Sequence, residues 1–185
     1  MRKQALVALV VLLLALPVVS ALADDQERPP DFVLIIGPRV GVSYNMTTPA
    51  DYSVTVMELF PVGTYFPVNS LFGIICEQRI LLGQTDSHFA FQEVLLVAGL
   101  EQSIALPTVS LLIGYRDASG FEIGFGPSVT LSGIGVVVAV GYTFGFSGVY
   151  VPIDVSCVLP NAQQPASFAL TTGFNFITRT RYNSN

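Results

Sequence analysis

Few residues in this chain could support acid–base, nucleophilic or metal chemistry. His88 is the sole histidine and follows Asp86 and Ser87 directly. Nucleophile, base and orienting acid must meet in space, and three consecutive residues are too tightly spaced to form a relay in one turn. Ser87 and Ser132 are the hydroxyls that a fold could carry to His88, and neither has a sequence context that activates it. No catalytic residue is therefore assigned, and no enzyme is expected. One histidine and two distant cysteines, Cys76 and Cys157, cannot build a zinc site. The glycines follow an alternating phase rather than the GxxxxGK[ST] spacing of a phosphate loop. No metal and no cofactor are expected.

The charges carry more information. Arg39, Glu77, Arg79, Glu122 and Asp154 fall on the smaller and more polar phase of an alternating pattern, and Glu93, in a stretch whose alternation is poor, is taken as the hint of its inner face. On the inner face of a closed sheet such charges must pair, because an unpaired buried charge is costly. One reading is a structural ion network that closes the lumen. The other is a gated polar path or a ligand site. Glu122 needs a cation in either case, and Arg39 and Arg79 are the expected partners.

The elements that place these groups read as strands. Residues 121–146 run FEIGFGPSVTLSGIGVVVAVGYTFGF. Phe121, Ile123, Phe125, Val129 and Leu131 alternate with small and polar residues. After Gly133 the phase shifts, and Ile134, Val136, Val138, Val140, Tyr142, Phe144 and Phe146 take the apolar positions. A period of two is the mark of a β-strand, so this stretch is two strands around a tight turn. The same reading gives strands at residues 32–44, 67–82, 89–100, 108–115, 149–158 and 168–177, eight in all. Residues 116–120, Arg-Asp-Ala-Ser-Gly, have hairpin-turn composition. Residues 49–60 break the alternation. Thr48 as N-cap, Pro49 at the first helical position and the spacing of Tyr52, Val56, Leu59 and Phe60 predict a short amphipathic helix. Val54-Thr55-Val56 leaves a ninth strand as the competing reading. Gly37-Pro38 and Gly126-Pro127 open two similar phrases, GPRVGVS and GPSVTLS. Proline cannot donate to a ladder, so each predicts a bulge or kink.

Residues 1–23 have the layout of a signal peptide: Arg2 and Lys3, an apolar run from Ala5 to Val19, and Ala21-Leu22-Ala23 before Asp24. Residues 24–31 read as a flexible leader, 32–178 as one β-barrel domain, and 179–185 as a C-terminal tail. Cleavage after Ala23 leaves six basic residues, all Arg, against thirteen acidic ones, a charge of −7. Such a chain is a poor nucleic-acid ligand. Only 11% of residues are charged and the mean hydropathy is +0.62, against about 25% charged residues in an ordinary soluble domain. Cys76 and Cys157 fall on the outward phase of strands that are not neighbours, which favours free thiols over the alternative of a disulfide.

Polarity decides which face is inside. One face of the strands is large and apolar. The other carries Gly, Ala, Ser, Thr and the six charges, a poor exterior for water and a good filling for a narrow barrel. The apolar face then meets lipid. Tyr115, Phe121, Phe144, Phe146, Phe174 and Phe176 cluster near the turns on one side, as an aromatic girdle at a membrane interface requires. The expected fold is all-β: a closed antiparallel eight-stranded transmembrane β-barrel with one short helix between strands 1 and 2. With the amino terminus in the periplasm, the segment 45–66 becomes the largest outward loop. Its helix would cap the barrel mouth or pack on the rim, and Tyr52, Phe60, Tyr65 and Phe66 could form a partner-binding patch.

In these features residues 32–177 resemble the small eight-stranded outer-membrane β-barrels, the OmpA/OmpX-like class. The phrases PSVTLSG and GYRDASGFEIGFGP are similar to those of uncharacterised exported barrel proteins of bacteria. The ending Leu170-Thr171-Thr172-Gly173-Phe174-Asn175-Phe176 resembles the signal read by the barrel-assembly machinery, with nine residues following Phe176. The resemblance implies a monomer in the outer membrane of a Gram-negative cell envelope. Its partners would be outer-membrane lipid and, during biogenesis, the assembly machinery. The resemblance is to an architecture, which does not itself assign a function; the role expected of this chain is structural or surface interaction, with transport or binding of a small apolar ligand, or lipid-modifying catalysis, as alternatives.

Overall fold

A computed structural model describes residues 32–46, 66–81, 87–131, 133–146, 149–161 and 165–180. The strands are β1 (Phe32–Asn45), β2 (Val68–Leu81), β3 (His88–Ala98), β4 (Leu106–Arg116), β5 (Phe121–Thr130), β6 (Ile134–Phe146), β7 (Val149–Val158), β8 (Ser167–Gly173) and β9 (Phe176–Thr180). Each pairs antiparallel with its sequence neighbour from β2 through to β8. β1 closes the sheet by pairing with β2 on one side and with β8 and β9 on the other. β9 continues β8, so the wall is a closed barrel of eight strands. Closure removes the free edges that an open sheet would leave.

The break between β8 and β9 has a local cause. β1 pairs Arg39 with Gly173 and Ile36 with Phe176, and the two positions between them, Gly37 and Pro38, face Phe174 and Asn175 without ladder pairing. Pro38 has no N–H to give. Asn175 instead sends its backbone N–H to the Tyr150 carbonyl, at 2.9 Å. Gly37 is needed here, since a Cβ would run into the Phe174 carbonyl. Pro127 does the same to the β4–β5 ladder: pairing passes from Ser110–Ser128 to Ile113–Phe125 and omits Gly126 and Pro127. The bulge or kink expected at each Gly-Pro is thus a ladder gap, and the register on both sides of it is unchanged.

The alternation sorts side chains as the sequence predicts. Ile36, Val40, Val42, Phe72, Ile74, Ile113, Ile123, Phe125, Val136, Val140, Ile153, Val155 and Leu170 are exposed on the outside. Ile35, Leu71, Ile75, Leu112 and Val137 are buried inside, with Ser43, Asn69, Ser110 and Ser128. The structure is therefore inverted relative to a soluble barrel, where apolar groups fill the centre and polar ones face out.

Two short connections show why their residues are there. In the β4–β5 hairpin, Asp117 Oδ1 accepts from the Ser119 N–H at 2.9 Å, the Ser119 hydroxyl at 2.6 Å and the Phe121 N–H at 3.1 Å. The Ser119 hydroxyl and these amides hold the Asp117 carboxyl below its ordinary pKa. Gly120 takes φ +102°, and a Cβ there would meet the Thr143 carbonyl. Between β3 and β4 the chain makes a 3-10 turn, Leu100–Gln102, entered through Gly99 at φ +81°. Gln102 Nε2 donates to Phe66 O at 3.0 Å, Val68 O at 3.1 Å and Asn69 Oδ1 at 2.9 Å, tying this turn to the start of β2. Glu101 binds Ser70 through its hydroxyl and its N–H. Burial works to raise the Glu101 pKa, but the hydrogen bonds from Ser70 outweigh it and the carboxyl sits below its ordinary value.

The helix expected at residues 49–60 lies outside the described residues, as do residues 1–31 and 181–185. Among the described residues the one helical element is the 3-10 turn.

Candidate functional site

The inner charges converge at one end of the lumen, the end that carries the termini and the β2–β3, β4–β5 and β6–β7 turns. Glu77, fully buried in β2, is the hub. It pairs with Arg79 two residues along the same face. Its Oε2 accepts from Arg116 Nη2 at 3.2 Å and from Gln92 Nε2 at 3.0 Å. His88 Nε2 lies 3.9 Å from its Oε1. Arg116, the last residue of β4, also pairs with Glu122, the second residue of β5, through Nη2 and through Nε at 3.1 Å. Thr143 of β6 donates its hydroxyl to Glu122 Oε1 at 2.9 Å. Arg116 thus bridges two carboxylates, one on each side of the barrel bottom.

A second group lies nearer mid-height. Arg39 Nη2 donates to Asn175 Oδ1 at 2.7 Å, its Nη1 to Pro38 O at 3.1 Å, and its Nε stands 4.0 Å from Asp154 Oδ2. Asn175 keeps the inward phase of Gly173 across the ladder gap, and so meets Arg39. Across the two groups three arginines, Arg39, Arg79 and Arg116, face three acids, Glu77, Glu122 and Asp154. The formal charges of these six groups therefore balance, which is the condition for burying so many charges in one place.

Five of the six charges predicted to face the lumen do so. Glu93 does not. It pairs with Cys76 and Leu111 on the outward phase, while Gln92 beside it turns inward to Glu77. The alternation of β3 is masked because both of its phases are apolar over Val94-Leu95-Leu96-Val97. With no contrast of polarity, a one-residue error in phase moves every side chain to the other face.

Besides Gln92, two lumen residues were missed. Arg116 reads as a turn residue, in Arg116-Asp117-Ala118-Ser119-Gly120, yet β4 runs one residue further than its apolar pattern and buries it. Even spacing from Ser110, Leu112 and Gly114 is the signal that places it inside. His88 also reads as a turn residue but opens β3 and points to Glu77. Glu122 finds its cation in Arg116, in place of Arg39 or Arg79. Ser87 precedes β3, and His88 Nε2, 3.9 Å from Glu77 Oε1, stands at the edge of the ion network.

Beside the charges lies a cavity of about 80 Å³ bordered by Leu96, Leu112, Val137, Arg39, Arg116 and Glu122. It has room for a few waters. Beyond it, toward the long connections, the inner face holds small and apolar groups, and Ser110 donates to Ser128 at 2.9 Å.

Outside, all six predicted girdle residues are exposed. Phe89 and Tyr142 join them. Phe89 meets Tyr115 edge-on at 5.9 Å, and Tyr142, Phe144 and Phe146 form a run with ring centres 4.8 and 6.4 Å apart. Cys76 and Cys157 are free thiols on the outer phase.

A closed barrel with a charged interior, an apolar wall and an aromatic ring at one rim defines the class: a small eight-stranded antiparallel transmembrane β-barrel. No family model and no curated protein matches the chain. Among solved structures it is similar to a de novo designed transmembrane β-barrel (TM-score 0.42, 9% identity, 82% of this chain and 98% of that one). It is also similar to Ail, the attachment invasion locus protein of Yersinia pestis (TM-score 0.24, 9% identity, 80% and 100% coverage). At those scores the assignment rests on the strand pairing and surface polarity of the chain itself.

Proposed function

We propose that this protein is an exported, non-enzymatic barrel of a bacterial outer membrane, with a structural or surface-interaction role. The observation that carries the reading is the bridge from Glu77 through Arg116 to Glu122, which ties β2, β4 and β5 across the lumen. A barrel of eight strands is just wide enough for its own side chains, and this one fills that width with paired charge. Such a lumen supports a plug in preference to a conduit, and what the protein offers its surroundings is then its wall and its loops. Phe66, just before β2, is exposed, and the β1–β2 connection to which it belongs is the longest stretch of sequence between two strands.

The test is made on purified full-length protein. Folded protein is expected to need detergent or lipid, to migrate differently on gels before and after heating, and to show no discrete conductance in planar bilayers. Water-soluble behaviour without detergent would sink the membrane reading, and step-like conductance would overturn the plugged lumen. Mass spectrometry of protein exported by a Gram-negative host is expected to place the mature terminus at Asp24. The small-ligand alternative draws on the 80 Å³ cavity, which is below the roughly 150 Å³ of a cavity known to hold benzene.

A further inference from the structure

The outer wall is not uniform. On β6, β7 and β8 its middle positions include Val136, Val138, Val140, Ile153, Val155 and Leu170, with Thr172 and Cys157 beside them and no amide or carboxyl. On β2 and β3 the corresponding region contains Gln78, Cys76 and Glu93. Cys76 lies directly across from Glu93, and Gln78 lies across from Phe91, one step away on the same face. Exposed Ile74, Ile80, Phe91 and Ile113 surround them. Glu93 Oε2 is covered by its neighbours and has no hydrogen-bond partner among the described residues.

A carboxyl group facing hydrocarbon is unfavourable and marks a site with another purpose. Apolar side chains gain nothing by leaving lipid for one another, so association inside a membrane depends on packing and on polar groups that find partners. This patch contains its own complement. Gln78 supplies an amide donor and Glu93 an acceptor, on adjacent strands of one face. A two-fold axis through the patch brings each against the other's counterpart, because an isologous contact needs a self-complementary surface.

We propose that the β2–β3 outer face docks a second copy of this chain within the membrane. Gln78 pairs with the partner's Glu93 at the centre, and Glu93 with the partner's Gln78. Ile74, Ile80, Phe91 and Ile113 pack around the two pairs. This inference rests on the membrane reading and departs from the monomer expected from the sequence.

The full chain is reconstituted in phospholipid vesicles at high lipid-to-protein ratio, and subunits are counted by single-molecule photobleaching. Wild type is expected to be dimeric. Glu93→Leu and Gln78→Leu each weaken association by about tenfold or more. Glu93→Gln, which keeps an acceptor and adds a donor, retains the dimer. In a Cys157→Ser background, oxidation by copper phenanthroline and oxygen is expected to join Cys76 to the partner's Cys76, and not to do so when Glu93→Leu is added. The heat-dependent gel shift is read on every sample. Wild type that keeps the shift but is monomeric overturns the dimer alone, as does a dimer indifferent to both leucine substitutions. A monomer that recruits a different membrane protein through Glu93 overturns the second copy as occupant. Loss of the shift in wild type overturns the membrane barrel and the dimer together.

Discussion

The two halves of the lumen are built from one alternating pattern and hold together by different means. In the half next to the termini, buried arginines and acids interlock, and each depends on the others. In the half next to the long connections, the described inner residues carry no charge: Ser43, Asn69, Leu71, Ala98, Ser110, Ser128 and Val137 fill the space. The first half owes its closure to complementarity of charge, the second to small side chains and to strands drawn together. The contrast teaches that the strand pattern sets where side chains point, while the choice between paired charge and small groups sets how each half tolerates change.

The largest effect is expected at Arg116. Arg116→Ala leaves Glu77 and Glu122 buried without their shared cation, and removal of one member of a buried ion pair costs about 3–5 kcal/mol. Denaturant unfolding in micelles measures it. Adding Glu77→Leu and Glu122→Leu to Arg116→Leu is expected to recover much of that loss, because the unpaired charges go with their partner. A variant of Arg116 no worse than a neutral substitution would erase the contrast between the halves.

Next comes Leu112→Ala, an uncharged side chain bordering the cavity. A buried leucine cut to alanine costs about 2–5 kcal/mol, and a site that can collapse lies at the low end. About 2 kcal/mol is expected, since neighbours already border open space. A larger loss than for Arg116→Ala would reverse the order of the two halves.

Ser128→Ala removes one neutral hydrogen bond with Ser110 and is expected to cost about 1 kcal/mol, again by unfolding. Its smallness against Arg116→Ala sharpens the comparison between neutral and charged fillings.

The smallest effect belongs to the rim. The Asp117 carboxyl is held below its ordinary pKa by Ser119 and neighbouring amides. A depressed folded pKa contributes stability above the unfolded value, about pH 4, and that contribution is lost as pH falls through the folded value. Wild type is therefore expected to lose slightly more stability than Asp117→Asn as pH drops from neutral into the acid range. The carboxylate titration followed by NMR checks the direction, and an ordinary or raised Asp117 pKa would sink the claim.

The alternation made most of the barrel legible. Strands β1, β5, β6 and β7 contrast bulky apolar residues with Gly, Ser and Thr on the opposite phase, so each position could be assigned inside or outside from residue type alone. The same contrast made Arg39, Glu77, Arg79, Glu122 and Asp154 readable as lumen groups. β3 failed the test because Val94 to Val97 are apolar on both phases, and Glu93 went to the wrong side with them. Arg116 and His88 were hidden by turn-like neighbours, since a strand's last inward residue has only one flank of pattern. The Gly-Pro pairs were legible as disturbances of the ladder, but not as gaps that leave register intact.

By itself the sequence determined the period, the polarity of the two faces and therefore the inverted barrel. Those follow from local geometry, in which neighbouring side chains on a strand must point to opposite sides. Only the tertiary structure decided which charges meet. Arg116 and Glu77 are 39 positions apart, and Arg39 and Asn175 are 136 apart. Their contacts depend on how strands are staggered around the closed wall, and stagger is fixed by closure of the whole sheet rather than by any one strand.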